Sequence, residues 1–173
     1  TYSCVGVVAK TYDGTTTAVL SGAAALGSVA AGSSVSTDTK VITTDAVTLG
    51  GTVAGTFASK NVRGTNGSGA NTVTLTGASL SGDDASNYNL IQQAPVTANG
   101  KITAKEVTYS GVGVDSKVYD GNTSAAIATR TLTGVVGADD VTLVGGTASF
   151  ADKNVGVGKA VSAAGLTLSG ADV

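Results

Sequence analysis

The chain contains two copies of one sequence unit, and this duplication limits its possible folds more than any other feature. The pentapeptide KTYDG at residues 10–14 returns as KVYDG at residues 117–121. A catalytic motif normally occurs once per active site, whereas a structural motif occurs once in each domain copy. We therefore predict two domains of one kind, with Tyr-Asp-Gly as part of their framework.

Further matches extend the duplication along most of the chain. The matched segments are YSCVGV with YSGVGV (2–7 and 109–114), VTL with VTL (47–49 and 141–143), FASKNV with FADKNV (57–62 and 150–155) and LSG with LSG (80–82 and 168–170). The spacing between matches falls from 107 residues to 94, 93 and finally 88, so copy one has 13 extra residues between Ala18 and Val47 and five around residues 63–71. Both insertions are rich in small residues and predict longer surface loops.

These matches divide the chain into a first repeat at residues 1–106, with an insertion at about residues 21–46, and a second, C-terminally incomplete repeat at residues 107–173. Val173 aligns with Ala85, so the second repeat has no counterpart of residues 86–107. A β-sandwich without its final strands would expose unpaired backbone groups and one side of its core. We expect the continuing chain of a longer repeat polypeptide to complete it, with a strand from a neighbouring chain as the alternative.

Apolar and polar residues alternate at a period of two in both copies, as in VTL at residues 47–49 and 141–143. This pattern indicates strands with one buried face. Glycines interrupt the alanine clusters at residues 23–25 and 30–31, which argues against helices. We predict an all-β chain of two Ig-like β-sandwich repeats in tandem, elongated in shape. The predicted core is Tyr12, Val47, Leu49, Phe57, Val62, Val73, Leu75, Leu80, Leu90 and Ile102 in copy one, and Tyr119, Val141, Leu143, Phe150, Val155, Val161 and Leu168 in copy two.

The repeated Tyr-Asp-Gly suits a structural role in such a fold. An Asp-Gly pair forms turns, because glycine accepts a positive φ and the Asp side chain accepts hydrogen bonds from backbone N–H groups further along. The preceding tyrosine has an apolar ring with a polar tip, which suits it to cover the end of a core. We therefore interpret six residues as a structural repeat motif: Tyr12, Asp13, Gly14, Tyr119, Asp120 and Gly121.

The side-chain inventory excludes most catalytic classes. The chain has no histidine, the usual general base near neutral pH and the commonest metal ligand. We predict no catalytic, cofactor-binding or metal-binding residue and no enzyme activity. A net charge of −2 with scattered basic residues argues against binding to nucleic acid, and no apolar run suits a membrane-spanning helix. The single cysteine, Cys4, is expected to be a small buried or half-buried residue, with a bridge to another chain as the alternative.

Two further signals have ordinary structural explanations. The acidic pairs at residues 83–84 and 139–140 lack the regularly spaced oxygen ligands of a calcium loop, and we expect solvated turn carboxylates there. A Lys–Asn isopeptide bond at residues 60–61 or 153–154 would need a buried acid beside it, and Glu106 is the only glutamate.

Several of these segments together resemble the YDG/MBG-type bacterial repeats. They are KVYDG with the strand after it, FADKNV at 150–155, LSG at 168–170 and, in copy one, NYNL at 87–90 with KIT at 101–103. That family occurs as tandem arrays in large secreted, haemagglutinin-like adhesins of Gram-negative bacteria. The resemblance covers nearly the whole chain and implies Ig-like domains strung in a stalk at the bacterial cell surface, without an active site. Copy one departs from the family pattern through its 13-residue insertion.

We therefore expect a non-catalytic stalk or filament segment of a secreted or cell-surface adhesin. Its partners would be neighbouring repeats of the same polypeptide or identical subunits in a filament. The alternative is a binding module that recognises a glycan, ice or another surface through residues 22–45 or a threonine-rich face. The threonines that suggest such a face are Thr74, Thr76, Thr131 and Thr133.

Overall fold

The computed structural model describes residues 2–3, 6–33, 38–63, 67–92 and 100–173, without the side chains of Tyr2, Ser3 and Ser110. The chain divides into two compact units, Thr1–Ala104 and Lys105–Val173. Both consist of β-strands, and the described ranges contain no α-helix, which confirms the prediction of an all-β chain. Over the same ranges, no helix has the length and apolar character needed to cross a membrane.

The first unit is a set of short paired strands around one long hairpin. The strands are β1 (Tyr2–Ser3), β2 (Gly6–Val7), β3 (Lys10–Thr11), β4 (Thr17–Ala18), β5 (Leu20–Ser21), β6 (Ala25–Leu26), β7 (Ser28–Val29), β8 (Val41–Ile42), β9 (Thr48–Phe57), β10 (Val73–Ser81) and β11 (Ile102–Thr103). Antiparallel pairing joins β1 to β6, β2 to β5, and β9 to both β4 and β10. The pairs β3–β11 and β7–β8 are parallel. A short 3-10 helix spans Ala85–Asn87.

The hairpin of β9 and β10 provides much of the framework of the first unit. Phe57 lies opposite Val73 at one end, and both side chains are buried. The register shifts at Gly77, whose φ is +89°. A Cβ atom at this position would fall on the carbonyl oxygen of Thr52, so the bulge requires glycine.

A cluster of apolar side chains forms the core of the first unit. Its buried members are Val7, Ala18, Phe57, Val73, Leu75 and Ile102, and its half-buried members include Tyr12, Leu49, Val62 and Leu90. The predicted burial of Phe57, Val73, Leu75 and Ile102 is thus confirmed. Val47 and Leu80, also predicted as core, are half-buried.

Strand β11 closes this core although it comes from a distant part of the sequence. It runs parallel to β3, with Ile102 opposite Lys10. The Lys10 N–H donates to the carbonyl oxygen of Lys101 over 3.0 Å. The Tyr12 N–H donates in the same way to Thr103 over 2.8 Å. Ile102 has no exposed surface, so β11 places its one large apolar side chain fully inside the core.

The second unit has fewer and longer strands. They are β12 (Thr108–Val114), β13 (Ser124–Ala125), β14 (Ile127–Thr133), β15 (Thr142–Phe150) and β16 (Val161–Ser169). All pairings are antiparallel: β12 with β14, β13 with β15, and β15 with β16. The hairpin of β15 and β16 corresponds in sequence to that of β9 and β10.

The core of the second unit is more exposed than the sequence predicts. Tyr119 is 57% exposed, Val155 is 88% exposed and Leu168 is 40% exposed, so their predicted burial is wrong. Val141, Leu143, Phe150 and Val161 are half-buried, and Ala148 is the one buried hydrophobic residue within residues 105–173. Within residues 105–173, no strand pairs in parallel as β11 does with β3.

Some sequence predictions fall outside the described residues. Cys4 lies there, and so do residues 34–37 of the predicted insertion and residues 64–66 of the shorter one.

Candidate functional site at the repeated turns

Asp13 organises the first Tyr-Asp-Gly turn. Its Oδ1 accepts hydrogen bonds from Lys10 Nζ over 2.7 Å and from the Thr15 N–H and Oγ1 over 2.9 Å each. Gly14 follows with a φ of +77°, a conformation that glycine adopts without strain. The hydrogen bond from Lys10, helped by that from the Thr15 backbone, lowers the pKa of Asp13 to about 2. The turn therefore holds an ionised carboxylate that positions Lys10.

Two lysines lie over aromatic rings beside this turn. Lys10 Nζ is 5.6 Å from the centroid of the Phe57 ring, and Lys60 Nζ is 5.9 Å from that of the Tyr12 ring. Both distances suit cation–π attraction. Tyr12 is half-buried against the core cluster. Lys60 thus contacts a tyrosine ring, while Glu106, the acid considered for an isopeptide bond, is exposed.

The second turn repeats this arrangement with one different side chain. Lys117 Nζ lies 2.7 Å from Asp120 Oδ1, and the Asn122 N–H donates to the same oxygen over 3.1 Å. Asn122 stands where copy one has a threonine, and its Oδ1 accepts from Lys117 Nζ over 2.8 Å and from the Ser124 N–H over 3.0 Å. The hydrogen bond from Lys117 holds the pKa of Asp120 below its usual value. Sequence reasoning singled out Asp120 but missed Asn122.

The two copies of the motif differ at their tyrosines. Gly14 and Gly121 have nearly the same φ, +77° and +80°. Tyr12 packs on its core, whereas Tyr119 is mostly exposed. The turn is therefore common to both units, but the first tyrosine is half-buried and the second is exposed.

A second loop of copy one contains a buried amide. Ser59 Oγ accepts a hydrogen bond from the Asn61 N–H over 3.1 Å. Asn71 Nδ2 donates to the Asn61 carbonyl oxygen over 3.0 Å. Asn71 is fully buried, and its Oδ1 has no partner among the residues that the structure describes.

The matching loop of copy two uses charged residues for the same contacts. Asp152 Oδ1 accepts from the Asn154 N–H over 2.8 Å, and Lys159 Nζ donates to the Asn154 carbonyl oxygen over 2.7 Å. Lys159 and Asp152 also form an ion pair, which lowers the pKa of Asp152. Serine and asparagine in one copy are thus replaced together by aspartate and lysine in the other. A position-by-position comparison of the copies could have revealed this coupled exchange.

Backbone hydrogen bonds outside the strands recur at matching positions. The Phe57 N–H donates to Thr16 over 2.7 Å, and the Phe150 N–H donates to Thr123 over 2.8 Å. Other matching pairs are Val8 to Val19 with Asp115 to Ala126, and Ala58 to Thr72 with Ala151 to Ala160. The alignment of the two copies therefore describes equivalent backbone positions.

One carboxylate of each acidic pair accepts a hydrogen bond at an end of a long hairpin. Asp84 Oδ2 accepts from the Ala46 N–H over 2.8 Å, and Asp140 Oδ2 accepts from the Ala171 N–H over 3.2 Å. In the described part of the chain, no three His, Cys, Asp or Glu side chains group as metal ligands would.

A side chain outside the first-copy insertion anchors its end. The Tyr88 hydroxyl donates to Asp45 Oδ2 over 2.7 Å and accepts from the Ile42 N–H over 3.0 Å. The hydrogen bond to Asp45 raises the pKa of Tyr88. Tyr88 was named in the sequence only as part of the NYNL segment, and its contact with the insertion was missed.

An open groove lies beside the second turn. Its volume is about 550 Å³, and its lining includes Lys117, Tyr119, Phe150, Val155 and Lys159. These residues belong to the second unit alone. Its lining combines apolar side chains, such as Phe150 and Val155, with charged ones, such as Lys117 and Lys159.

The four threonines named in the sequence analysis are all exposed. Thr74 and Thr76 lie on β10 of the first unit. Thr131 and Thr133 lie on β14 of the second unit. The structure does not join the two pairs in one sheet.

The chain matches a known protein family. The family model described as the YDG domain matches residues 1–98 and 103–173. Searches of curated proteins and of solved structures find no match.

Proposed function

Because the chain belongs to the YDG domain family along nearly its whole length, we propose that it forms a non-catalytic stalk or filament segment of a secreted or cell-surface bacterial adhesin. The observation that carries this proposal is the recurrence of one framework with variable loops. The same lysine–aspartate turn and the same loop hydrogen bonds hold both units. What is kept between the copies is thus what a repeat needs to fold, as in other tandem arrays.

The proposal also covers the fold of each unit, its partners and its location, all of which we infer from the repeated sequence. Each unit is an Ig-like β-sandwich repeat, and its partners are further repeats of the same polypeptide or identical subunits. The protein is extracellular, at the cell surface of a Gram-negative bacterium. The side chains support a structural role, because the charged residues of both turns are used in hydrogen bonds within the chain.

Single-molecule stretching of the chain between two marker domains tests the stalk function. A load-bearing segment should give two discrete unfolding events, with length gains of roughly 350 Å for the first unit and roughly 230 Å for the second at about 3.4 Å per residue. Asp13→Asn should lower the force at which the first unit unfolds, the event of roughly 350 Å, and leave the event of the second unit unchanged. Smooth extension without discrete events would rule out a load-bearing role.

A second candidate function is a binding module, favoured by the anchoring of the insertion through Tyr88. Replacing residues 27–46 with the shorter connection of residues 134–140 would remove the insertion and keep the flanking strands. A glycan array and a binding assay on crystalline polysaccharide and ice would compare this variant with the unaltered chain. A ligand lost only by the variant would support the binding module, and equal binding would exclude the insertion as its site.

A further inference from the structure

In the first unit, a strand near the beginning pairs with the strand that ends the unit. The early strand β3 runs parallel to β11, and the unit ends directly after β11, at Ala104. The Lys10 N–H donates to the carbonyl oxygen of Lys101 over 3.0 Å. The Tyr12 N–H donates to that of Thr103 over 2.8 Å. The chain therefore leaves the first unit through a strand that is hydrogen-bonded to its N-terminal part.

The parallel direction of this pair decides how tension along the chain acts on it. A pull from the N-terminal side reaches β3 at Lys10, after the two-residue strands β1 and β2. A pull from the C-terminal side reaches β11 at Thr103. Because the strands are parallel, these two points lie at opposite ends of the pair, and the strands must slide past each other to separate. Since the hydrogen bonds run across the direction of the pull, they carry the load together.

Further contacts hold β11 against such sliding. Thr103 Oγ1 donates to the Lys10 carbonyl oxygen over 3.3 Å. On the opposite edge of the segment, the Asn71 N–H donates to the Gly100 carbonyl oxygen. Ile102 has no exposed surface, so sliding of β11 would pull its side chain out of the core. The resistance of this strand thus combines backbone hydrogen bonds on both edges with one buried apolar side chain.

We propose that β3 and β11 form a mechanical clamp, which sets the force at which the first unit unfolds under tension along the chain. This role rests on the proposed stalk function, because only a segment under tension uses such a clamp. It assigns the load to one pair of strands within the unit. Unfolding by force is governed by the barrier to unfolding rather than by equilibrium stability. Substitutions in the clamp should therefore lower the unfolding force, whereas destabilising substitutions elsewhere in the unit should leave it nearly unchanged.

Single-molecule stretching of the full chain in two directions tests the clamp without removing any of its hydrogen bonds. In the first arrangement, the handles are attached before Thr1 and after Val173. In the second, the N-terminal handle is moved to Thr11→Cys, in a chain that also carries Cys4→Ser. Thr11 is exposed and pairs with Thr103 at the C-terminal ends of both strands, so this pull breaks the hydrogen bonds one after another. The unfolding force of the first unit should fall by about half or more in the second arrangement.

Two variants at Tyr12 test the hydrogen bond to Thr103. Tyr12→Pro removes the N–H donor together with the ring, and Tyr12→Ala, the matched control, removes the ring alone. Under the end-to-end pull, Tyr12→Pro should unfold the first unit at a clearly lower force than Tyr12→Ala. Gly77→Ala is a second control, because Gly77 lies at the bulge of the β9–β10 hairpin, outside the clamp. It should lower the stability of the first unit in urea without lowering its unfolding force.

The outcomes separate the clamp from the stalk function. Smooth extension under the end-to-end pull, without a discrete event of roughly 350 Å, would contradict the stalk function itself. A discrete event of the first unit with the same force in both directions would leave the stalk function in place and overturn the clamp. Equal forces for Tyr12→Pro and Tyr12→Ala would overturn the clamp as well. If Tyr12→Pro does not fold, the comparison of the two pulling directions decides alone.

Discussion

At the scale of single residues, the ionisation of Asp13 makes the stability of the first unit depend on pH. Its pKa is about 2 in the folded chain, below the ordinary value of 3.8, mainly because of the hydrogen bond from Lys10. A lowered folded pKa stabilises the first unit at any pH above the unfolded value, and this stabilisation is lost as the pH falls from about 4 to 2. We expect urea unfolding of the first unit to show that loss, with a smaller loss in Asp13→Asn.

The control for this pH dependence is the titration of the carboxyl group itself, followed by NMR. In the unaltered chain the Asp13 signal should move at about pH 2. In Lys10→Gln, which removes the largest cause of the shift, the midpoint should rise. A midpoint near 3.8 in both proteins would mean that the Lys10 contact does not form in solution.

The two phenylalanines provide a second prediction at this scale. Phe57 is 1% exposed and Phe150 is half-buried, although the two positions match in sequence. Phe57→Ala should lower the free energy of unfolding of the first unit by about 3–5 kcal/mol, as for a fully buried ring. Phe150→Ala should cost its own unit about half as much, because less apolar area is removed from water. Equal losses in urea denaturation would contradict the exposed core of the second unit.

The sequence was informative about some residues and silent about others. The turn role of Asp13 and Asp120 follows from Asp-Gly chemistry, which is local. The burial of Asn71 and the ion pair of Asp152 with Lys159 depend on contacts between residues apart in sequence. No local sequence pattern predicts them. Residue-level prediction therefore succeeded where the causes lie within a few neighbours.

At the scale of elements, the bulge in the long hairpin makes a sharp prediction. Gly77 has a φ of +89°, and a Cβ atom there would fall on the Thr52 carbonyl oxygen. Gly32 has a similar φ of +78° with nothing within 4 Å. Gly32→Ala should cost about 1 kcal/mol for backbone strain, and Gly77→Ala should cost clearly more because the hairpin must also shift. Equal costs in thermal unfolding would mean that the bulge relaxes freely.

The sequence predicts individual strands better than it predicts which strands pair, for a physical reason. The alternating VTL segments correctly indicated the strands of both long hairpins, because the period of two is a property of each strand alone. The parallel pairing of Ile102 with Lys10 was not predicted, since the partners lie far apart in the chain and parallel pairing has no turn signal. The exposure of Tyr119 was missed as well, because burial depends on distant neighbours that the local turn pattern does not show.

At the scale of the whole molecule, the two units share a framework but differ in how completely their cores are closed. The first buries six apolar side chains in one cluster. Within residues 105–173, the second buries only Ala148 among its hydrophobic residues. Since buried apolar area is the main source of stability, the two units should differ in stability despite their matching sequence segments.

We therefore expect urea to unfold the chain in two steps, with the second unit unfolding first. The two steps can be assigned by the NMR signals of Val73 and Val161, which occupy matching positions. Ile102→Asp should selectively lower the midpoint of the later step, because it buries a charge where β11 closes the first core. It should also speed amide exchange at Lys10 and Tyr12, so that the first unit acquires the open groove of the second. Val118→Asp is the matched control, since Val118 is 89% exposed and its replacement should move neither midpoint by much. A single transition for both units, or an Ile102→Asp variant with an unchanged midpoint, would show that β11 does not set the difference between them.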